Sequence, residues 1–262
     1  MITDFRTNVT GGKDYVVGDI HGCYSLLNFA LEQLNFDYKK DRLISLGDII
    51  DRGPESHLCI KLLEQPWFKA ISGNHESMFC DFEKDKFTFL TNGGEWIYKH
   101  DYDGFNSMQE WYKHYQAITQ ALPRAATVKT PQGFVIGLIH AEYLGADWNK
   151  INLNASSLIW GRNRIRSQNT SKVSGVDHIF CGHTPVDEPI TLGNTTYLDT
   201  CAFFDGKLSI ADLSKFCPDT PMDCITTFIQ HSNATGTHSV KCDVSEDMSS
   251  IWSIEISIPT GI

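Results

Sequence analysis

The chain has 262 residues with 22 basic and 32 acidic side chains, a formal charge of −10. That excess of acid argues against broad association with a phosphate backbone or an anionic membrane surface, so neither nucleic acid nor membrane is an expected partner. No apolar run approaches the roughly 18–20 residues that span a bilayer, and Met1–Asn8 lacks the basic start and apolar stretch of a signal peptide, so the expected location is cytoplasmic.

From residue 14 to about residue 80 the order strand, polar motif, helix repeats three times. The predicted strands lie near Tyr15–Val17, Leu43–Leu46 and Phe68–Ser72, and the helices near Tyr24–Leu34, Ser56–Glu64 and Glu76–Phe82. Residues 84–121 read as a mostly helical excursion, a lid or flank, with Asn92-Gly93-Gly94 as a turn and aromatics at helical spacing over Ser107–Gln120. β-rich runs follow at Ala125–Lys129, Phe134–Ile139, His178–Cys181, Thr195–Leu198 and Lys207–Ala211, and these are expected to form a second sheet packed on the first. Beyond Leu213 the composition shifts to Pro, Asp, Ser and Thr, and the alternating run Ile251–Ile258 predicts a terminal strand. The organisation expected is an α/β domain over 1–213 with a β-rich extension over 214–262, which offers a surface for pairing two copies of the chain.

Eight cysteines raise the question of a disulfide framework. A chain of this length does not need staples, and several of the cysteines fall in core elements, so reduced thiols are expected. Cys217, Cys224, His231, His238 and Cys242 are soft donors, but their spacing matches no structural zinc pattern.

Five strings end apolar runs with hard oxygen or nitrogen donors: Gly-Asp-Ile-His-Gly (18–22), Gly-Asp-Ile-Ile-Asp-Arg-Gly (47–53), Gly-Asn-His-Glu (73–76), Ile-His-Ala-Glu (139–142) and Gly-His-Thr-Pro (182–185). Strand-to-helix turns put such residues at the carboxyl edge of a sheet, where ligand crevices of α/β folds form. Asp19, His21, Asp48, Asn74, His140 and His183 are enough donors for two divalent cations about 3.5–4 Å apart, as hydrolytic two-metal sites require. An isolated Asp or His would be read as a cap or a packed polar residue; five such strings in order are a constellation. Mixed oxygen and imidazole donors without thiolate suit Mn²⁺, Fe or Zn²⁺. His75 is surplus to the ligand count and free to act as a general acid, with Asp51 orienting its ring. Arg52 and Arg162 are the candidate phosphate clamps, because a guanidinium grips two phosphate oxygens in one plane. Arg164 and Arg166 are expected to face solvent.

These residues resemble the phosphoprotein phosphatase family, whose hallmark is GDxHG, GDxxDRG and GNHE in this order. Within it the likeness is to the branch of phage lambda and bacterial Ser/Thr phosphatases, extended by Pro66-Trp67-Phe68-Lys69-Ala70, Asn92-Gly93-Gly94 and Ile159-Trp160-Gly161-Arg162, over about residues 13–213. The resemblance implies a calcineurin-like metallophosphoesterase fold, a central β-sandwich flanked by helices, with two ions, often manganese, and direct attack by metal-bound water. It implies Asp19, His21 and Asp48 on the first ion and Asp48, Asn74, His140 and His183 on the second. By the same resemblance His75 is the acid, Asp51 its partner, Arg52 and Arg162 the phosphate ligands, and phosphoserine or phosphothreonine in proteins the substrate. Two positions depart from the family: Ser72 stands where relatives usually carry a phosphate-binding arginine, with Arg124 a candidate replacement, and Cys201 stands where glycine is usual, read here as core packing. The alternative activity is dinucleoside-polyphosphate (diadenosine tetraphosphate) hydrolysis. Enzymes of that kind typically carry Ala-Arg-Gly and Gly-Asn-His-Asp, whereas this chain has Asp51 and Glu76.

Overall fold

The computed structural model describes residues 2–230 and the backbone of residues 231–232 and 238–243. Its strands are β1 (Thr3–Asp4), β2 (Asp14–Val17), β3 (Arg42–Ser45), β4 (Phe68–Ala70), β5 (Ala125–Lys129), β6 (Val135–Ile139), β7 (His178–Cys181), β8 (Ile190–Leu192), β9 (Thr195–Tyr197), β10 (Lys207–Asp212), β11 (Ile225–Ser232) and β12 (His238–Asp243). The helices are α1 (Tyr24–Gln33), α2 (Ser56–Cys59), α3 (Asn74–Cys80), α4 (Lys86–Thr91), α5 (Met108–Gln120), α6 (Ser157–Trp160), α7 (Asn163–Arg166) and α8 (Ala202–Asp205), with short 3₁₀ turns between several of them.

The strands form two six-stranded sheets, one ordered β12-β11-β10-β2-β3-β4 and the other β1-β5-β6-β7-β9-β8. Side-chain alternation explains how they stack. In β2, Val16 joins Ile44, Leu46 and Ile71 in a core shared with Val128, Ile136, Leu138 and Phe180 of the other sheet, while Tyr15 and Val17 face the helical layer. On the far side of the second sheet, Ile139, Ile179 and Cys181 pack with Trp148, Leu158 and Tyr197. The expected sandwich is therefore present, flanked by helices.

Three expectations change. Lys207–Ala211 does not belong to the second sheet: β10 runs antiparallel beside β2 and completes the first. The excursion is a flank and not a lid, because Phe89, Trp96, Ile97, Trp111, Tyr112 and Tyr115 are buried against α3 and the first sheet. The helix expected to begin at Glu76 begins at Asn74, with the Glu76 carboxylate reaching back to the Gly73 amide at 2.9 Å, half of a capping box. After Leu213 the chain turns through two short 3₁₀ segments into β11, which pairs with β10 over Lys207–Ala211 and buries Phe228 beside Phe29. The run 251–258 and the side chains of His231, His238 and Cys242 lie outside the described residues. Cys23, Cys59, Cys80, Cys181, Cys201, Cys217 and Cys224 are free thiols. No helix among the described residues is long and apolar enough to cross a membrane.

Candidate metal and phosphate site

The site forms at one edge of the sandwich, where the turns after β2, β3, β4, β6 and β7 meet. Those turns are tight: His21, Asp48, Asp51, Arg52, His183 and Cys201 all have left-handed φ between +44° and +73°. Six of the nine non-glycine residues with that conformation among the described residues thus sit in or beside the site, which is where strained backbone concentrates when geometry has to be imposed. Gly47, at φ +95°, permits one close approach; a Cβ there would come within 2.5 Å of the Gly73 amide nitrogen and 3.0 Å of His140 Nδ1.

Two donor groups converge on a shared carboxylate. His21, Asp48 and His75 offer ligand atoms within 4.8 Å of one another, and so do Asp48, His140 and His183. All five are buried. His21 Nδ1 donates to Ile50 O at 3.1 Å and His140 Nδ1 to Leu46 O at 2.8 Å, which turns the Nε2 lone pair of each ring inward. Burial lowers the pKa of His21 and of His183 to about 3, so both rings are neutral and able to bind a cation at ordinary pH.

The residues present fit divalent cations. The terminal oxygen of the Asn74 amide lies 2.9 Å from His140 Nε2, 2.9 Å from His183 Nδ1 and 3.3 Å from Asp48 Oδ2, an all-acceptor surrounding that a positive ion would satisfy. His183 Nε2 is buried without a hydrogen-bond partner. Asp19, Asp48 and Asp199 are buried close together, and burial with the charges of Asp199 and Asp48 pushes the Asp19 carboxyl well above its ordinary range. Such repulsion is relieved by bound cations.

The predicted residues are not all placed alike. Asp19 lies outside both three-residue groups; its carboxylate accepts from the His183 amide at 3.0 and 3.1 Å, tying the first and fifth motifs together. His75, surplus to the expected ligand count, lies inside the first group, with Nδ1 donating to Asp51 Oδ2 at 2.7 Å. Burial opposes its charged form, yet the carboxylates of Asp48 and Asp51 prevail and raise its pKa. The Arg52 guanidinium donates to His21 Nε2 at 2.8 Å and to His75 Nε2 at 3.1 Å, and Arg162 reaches His183 O at 3.3 Å with its Nε unpartnered.

Arg164 corrects an expectation: it is buried, and its guanidinium donates to the carbonyls of Tyr143, Asn169 and Ser171 while its amide donates to Glu142 Oε2 at 2.6 Å. Those three carbonyls neutralise the cost of burying it, and Glu142 thereby ties the His140 segment to the start of α7 beside Arg162. Arg166 is exposed as expected. Half-buried Ser72 donates its amide to Pro123 O at 2.8 Å, which sets the chain at Arg124 beside position 72. Cys201 is only half-buried, and at φ +65° it occupies a conformation suited to the glycine it replaces, so it fills no core gap.

Sequence reasoning gave no role to Glu76, whose carboxylate accepts from the amides of Asp48, Ile49 and Gly73 at 2.7, 2.8 and 2.9 Å and so binds two motif turns together. Its place in the Gly-Asn-His-Glu string was the available signal. Trp96, which donates Nε1–H to Asp51 Oδ1 at 2.6 Å, had none beyond its position after the Gly93-Gly94 turn.

An α/β sandwich that gathers carboxylates, imidazoles and guanidinium groups on one loop edge defines a hydrolase of the metal-assisted phosphoester class. Residues 15–187 match the calcineurin-like phosphoesterase family, and the chain belongs to it. It is 34% identical over 201 residues to Serine/threonine-protein phosphatase 1 of Salmonella typhimurium, covering 75% of this chain and 90% of that protein. It is 38% identical over 208 residues to Serine/threonine-protein phosphatase 2 of the same organism, covering 74% and 90%. A solved serine/threonine phosphatase from Saccharomyces cerevisiae shares the fold, with a TM-score of 0.55 at 13% identity over 95% of this chain and 86% of that one.

Proposed function

We propose that this chain removes phosphate from phosphoserine and phosphothreonine side chains of proteins, and also accepts phosphotyrosine and small aryl phosphates. The observation that carries the reading is the His75–Asp51 pair, 2.7 Å apart and wholly buried, set against the Asp48 carboxylate that both donor groups share. Asp19, His21 and Asp48 would hold one ion and Asp48, Asn74, His140 and His183 the other, with Mn²⁺ our choice over Fe or Zn²⁺. A cation pair there would supply Lewis acidity toward the phosphoryl oxygens and a water nucleophile at neutral pH. Arg52 and Arg162 bring planar donors to the phosphoryl group. His75, with Nδ1–H held by Asp51, would deliver a proton from Nε2 to the departing serine or threonine oxygen once the Arg52 guanidinium, which donates to that nitrogen here, has turned to the phosphoryl group.

Asp51 and Glu76 favour this reading over dinucleoside-polyphosphate hydrolysis, whose enzymes typically carry Ala and Asp at these positions; here Glu76 reaches the amides of Asp48 and Ile49 from the first turn of α3. Arg124 is our candidate for the cation missing at Ser72. We assign residues 1–213 to the catalytic domain and 214–262 to an extension whose β11 and β12 continue its first sheet, place the protein in the cytoplasm with phosphoproteins as partners, and include pairing of two copies through the extension, which sedimentation would measure.

The test is metal-stripped protein with Mn²⁺ restored, assayed in parallel on a phosphoserine peptide, an aryl phosphate and diadenosine tetraphosphate. Cation-dependent release from the peptide is the expected result. Turnover confined to the dinucleotide would move the assignment to the other activity, and turnover of none would overturn it.

A further inference from the structure

We propose that Trp96 is a positioning residue for the general acid: its indole N–H fixes the Asp51 carboxylate, which in turn fixes the His75 imidazole. The inference rests on the assignment of His75 as proton donor.

Asp51 uses each oxygen once, Oδ1 accepting from Trp96 Nε1 at 2.6 Å and Oδ2 from His75 Nδ1 at 2.7 Å. All three side chains are buried. The terminal torsion of a carboxylate is soft, so one hydrogen bond alone would leave its plane, and with it the imidazole, free to swing. A second donor on the opposite oxygen removes that freedom, and charge-assisted bonds of this kind strengthen where water is excluded.

Trp96 is itself held rigidly. Its ring stacks on Phe79 at 6.2 Å and 13° and meets Trp111 edge-on at 5.8 Å. The turn that presents it starts at Gly93, whose φ is +95° and whose carbonyl accepts from the Arg52 amide at 3.1 Å; a Cβ at Gly93 would stand 2.6 Å from that nitrogen. One turn therefore sets Asp51 through a side chain and Arg52 through the backbone. The pairing is selective among the buried tryptophans: Trp111 and Trp148 have indole nitrogens without a partner among the described residues, whereas that of Trp96 meets a carboxylate. The aromatic flank is accordingly more than packing; it carries one donor into the site.

Trp96→Phe keeps a ring and deletes the donor, and Trp111→Phe is its control, since that indole donates to nothing. Both are compared with His75→Asn on a phosphoserine peptide, whose alkoxide leaving group needs a proton, and on 2,4-dinitrophenyl phosphate, whose leaving group does not. Trp96→Phe is expected to lower kcat on the peptide about tenfold, a fraction of the roughly 10²–10⁴ that acid catalysis supplies, with KM, bound metal per chain and dinitrophenyl phosphate turnover held within about twofold. Trp111→Phe should leave the ratio of the two substrates unchanged. In the unsubstituted protein the Trp96 indole proton should resonate downfield of the other indoles, and it should shift in His75→Asn. Equal losses on both substrates, a matching change in Trp111→Phe, or an indole resonance indifferent to His75→Asn would overturn the proposal. If His75→Asn itself slows both substrates alike, the acid assignment fails; if it is selective while Trp96→Phe is not, only the positioning role fails.

Discussion

On the side of the site built from the first sheet, nearly every polar atom is engaged: Asp51 lies between Trp96 and His75, Glu76 gathers three backbone amides, and His21 is pinned to Ile50. On the side built from the second sheet, His183 Nε2 and Arg162 Nε are buried without partners, and Arg162 holds by one bond of 3.3 Å to a carbonyl. Both sides come from strand-end turns of the same kind, so local backbone does not account for the contrast. The first is preorganised by protein contacts for proton delivery, while the second carries open donor atoms that ligands complete. A site divided in this way has one half fixed by protein hydrogen bonds and another that keeps unpartnered polar atoms.

The most severe test of that division is Asp48→Asn, because Asp48 belongs to both donor groups. Activity should fall by at least about 10²-fold, the scale of losing one preorganised electrostatic contact, with cation retention falling alongside it in elemental analysis. Glu76→Gln probes the preorganised half: replacing an oxygen by an NH₂ sets donor against donor at the Ile49 amide or at those of Asp48 and Gly73. Urea unfolding should show a loss of about 1.5–3 kcal/mol, and an unchanged midpoint would break the comparison. His183→Asn probes the other half and should weaken cation retention about 10–100-fold. Its metal-free stability should fall less than that of Glu76→Gln, since no protein hydrogen bond to Nε2 is lost. The smallest effect is expected at Cys201→Gly, where relief of the left-handed φ exceeds the entropy cost of glycine by only about 0.5 kcal/mol, visible as a slightly raised melting temperature. A fall in stability there would mean that the thiol packs productively.

Much of the site could be read along the chain because each motif is local. Asp19 and His21, or Asp48, Asp51 and Arg52, lie within one turn, and an apolar run before each places them at a strand end. What could not be read is which groups answer them. Trp96 is 45 residues from Asp51, and Asp19 is 164 from the His183 amide it accepts. Arg164 illustrates the same limit from the other direction: beside Arg162 and Arg166 it looks like one of a charged surface run, and only the carbonyls of Tyr143, Asn169 and Ser171 make its burial tolerable.

The sequence by itself determined the period-two faces of the strands, the strand-motif-helix order and the chemistry at each strand end, since these rest on contacts between near neighbours. The tertiary structure alone decided that Lys207–Ala211 crosses back to pair with β2, that the aromatic excursion is a buried support, and that one indole among several reaches the acid pair. A strand's alternation reveals which of its faces is buried but not which strand will pair with it, because any backbone edge offers the same donors and acceptors.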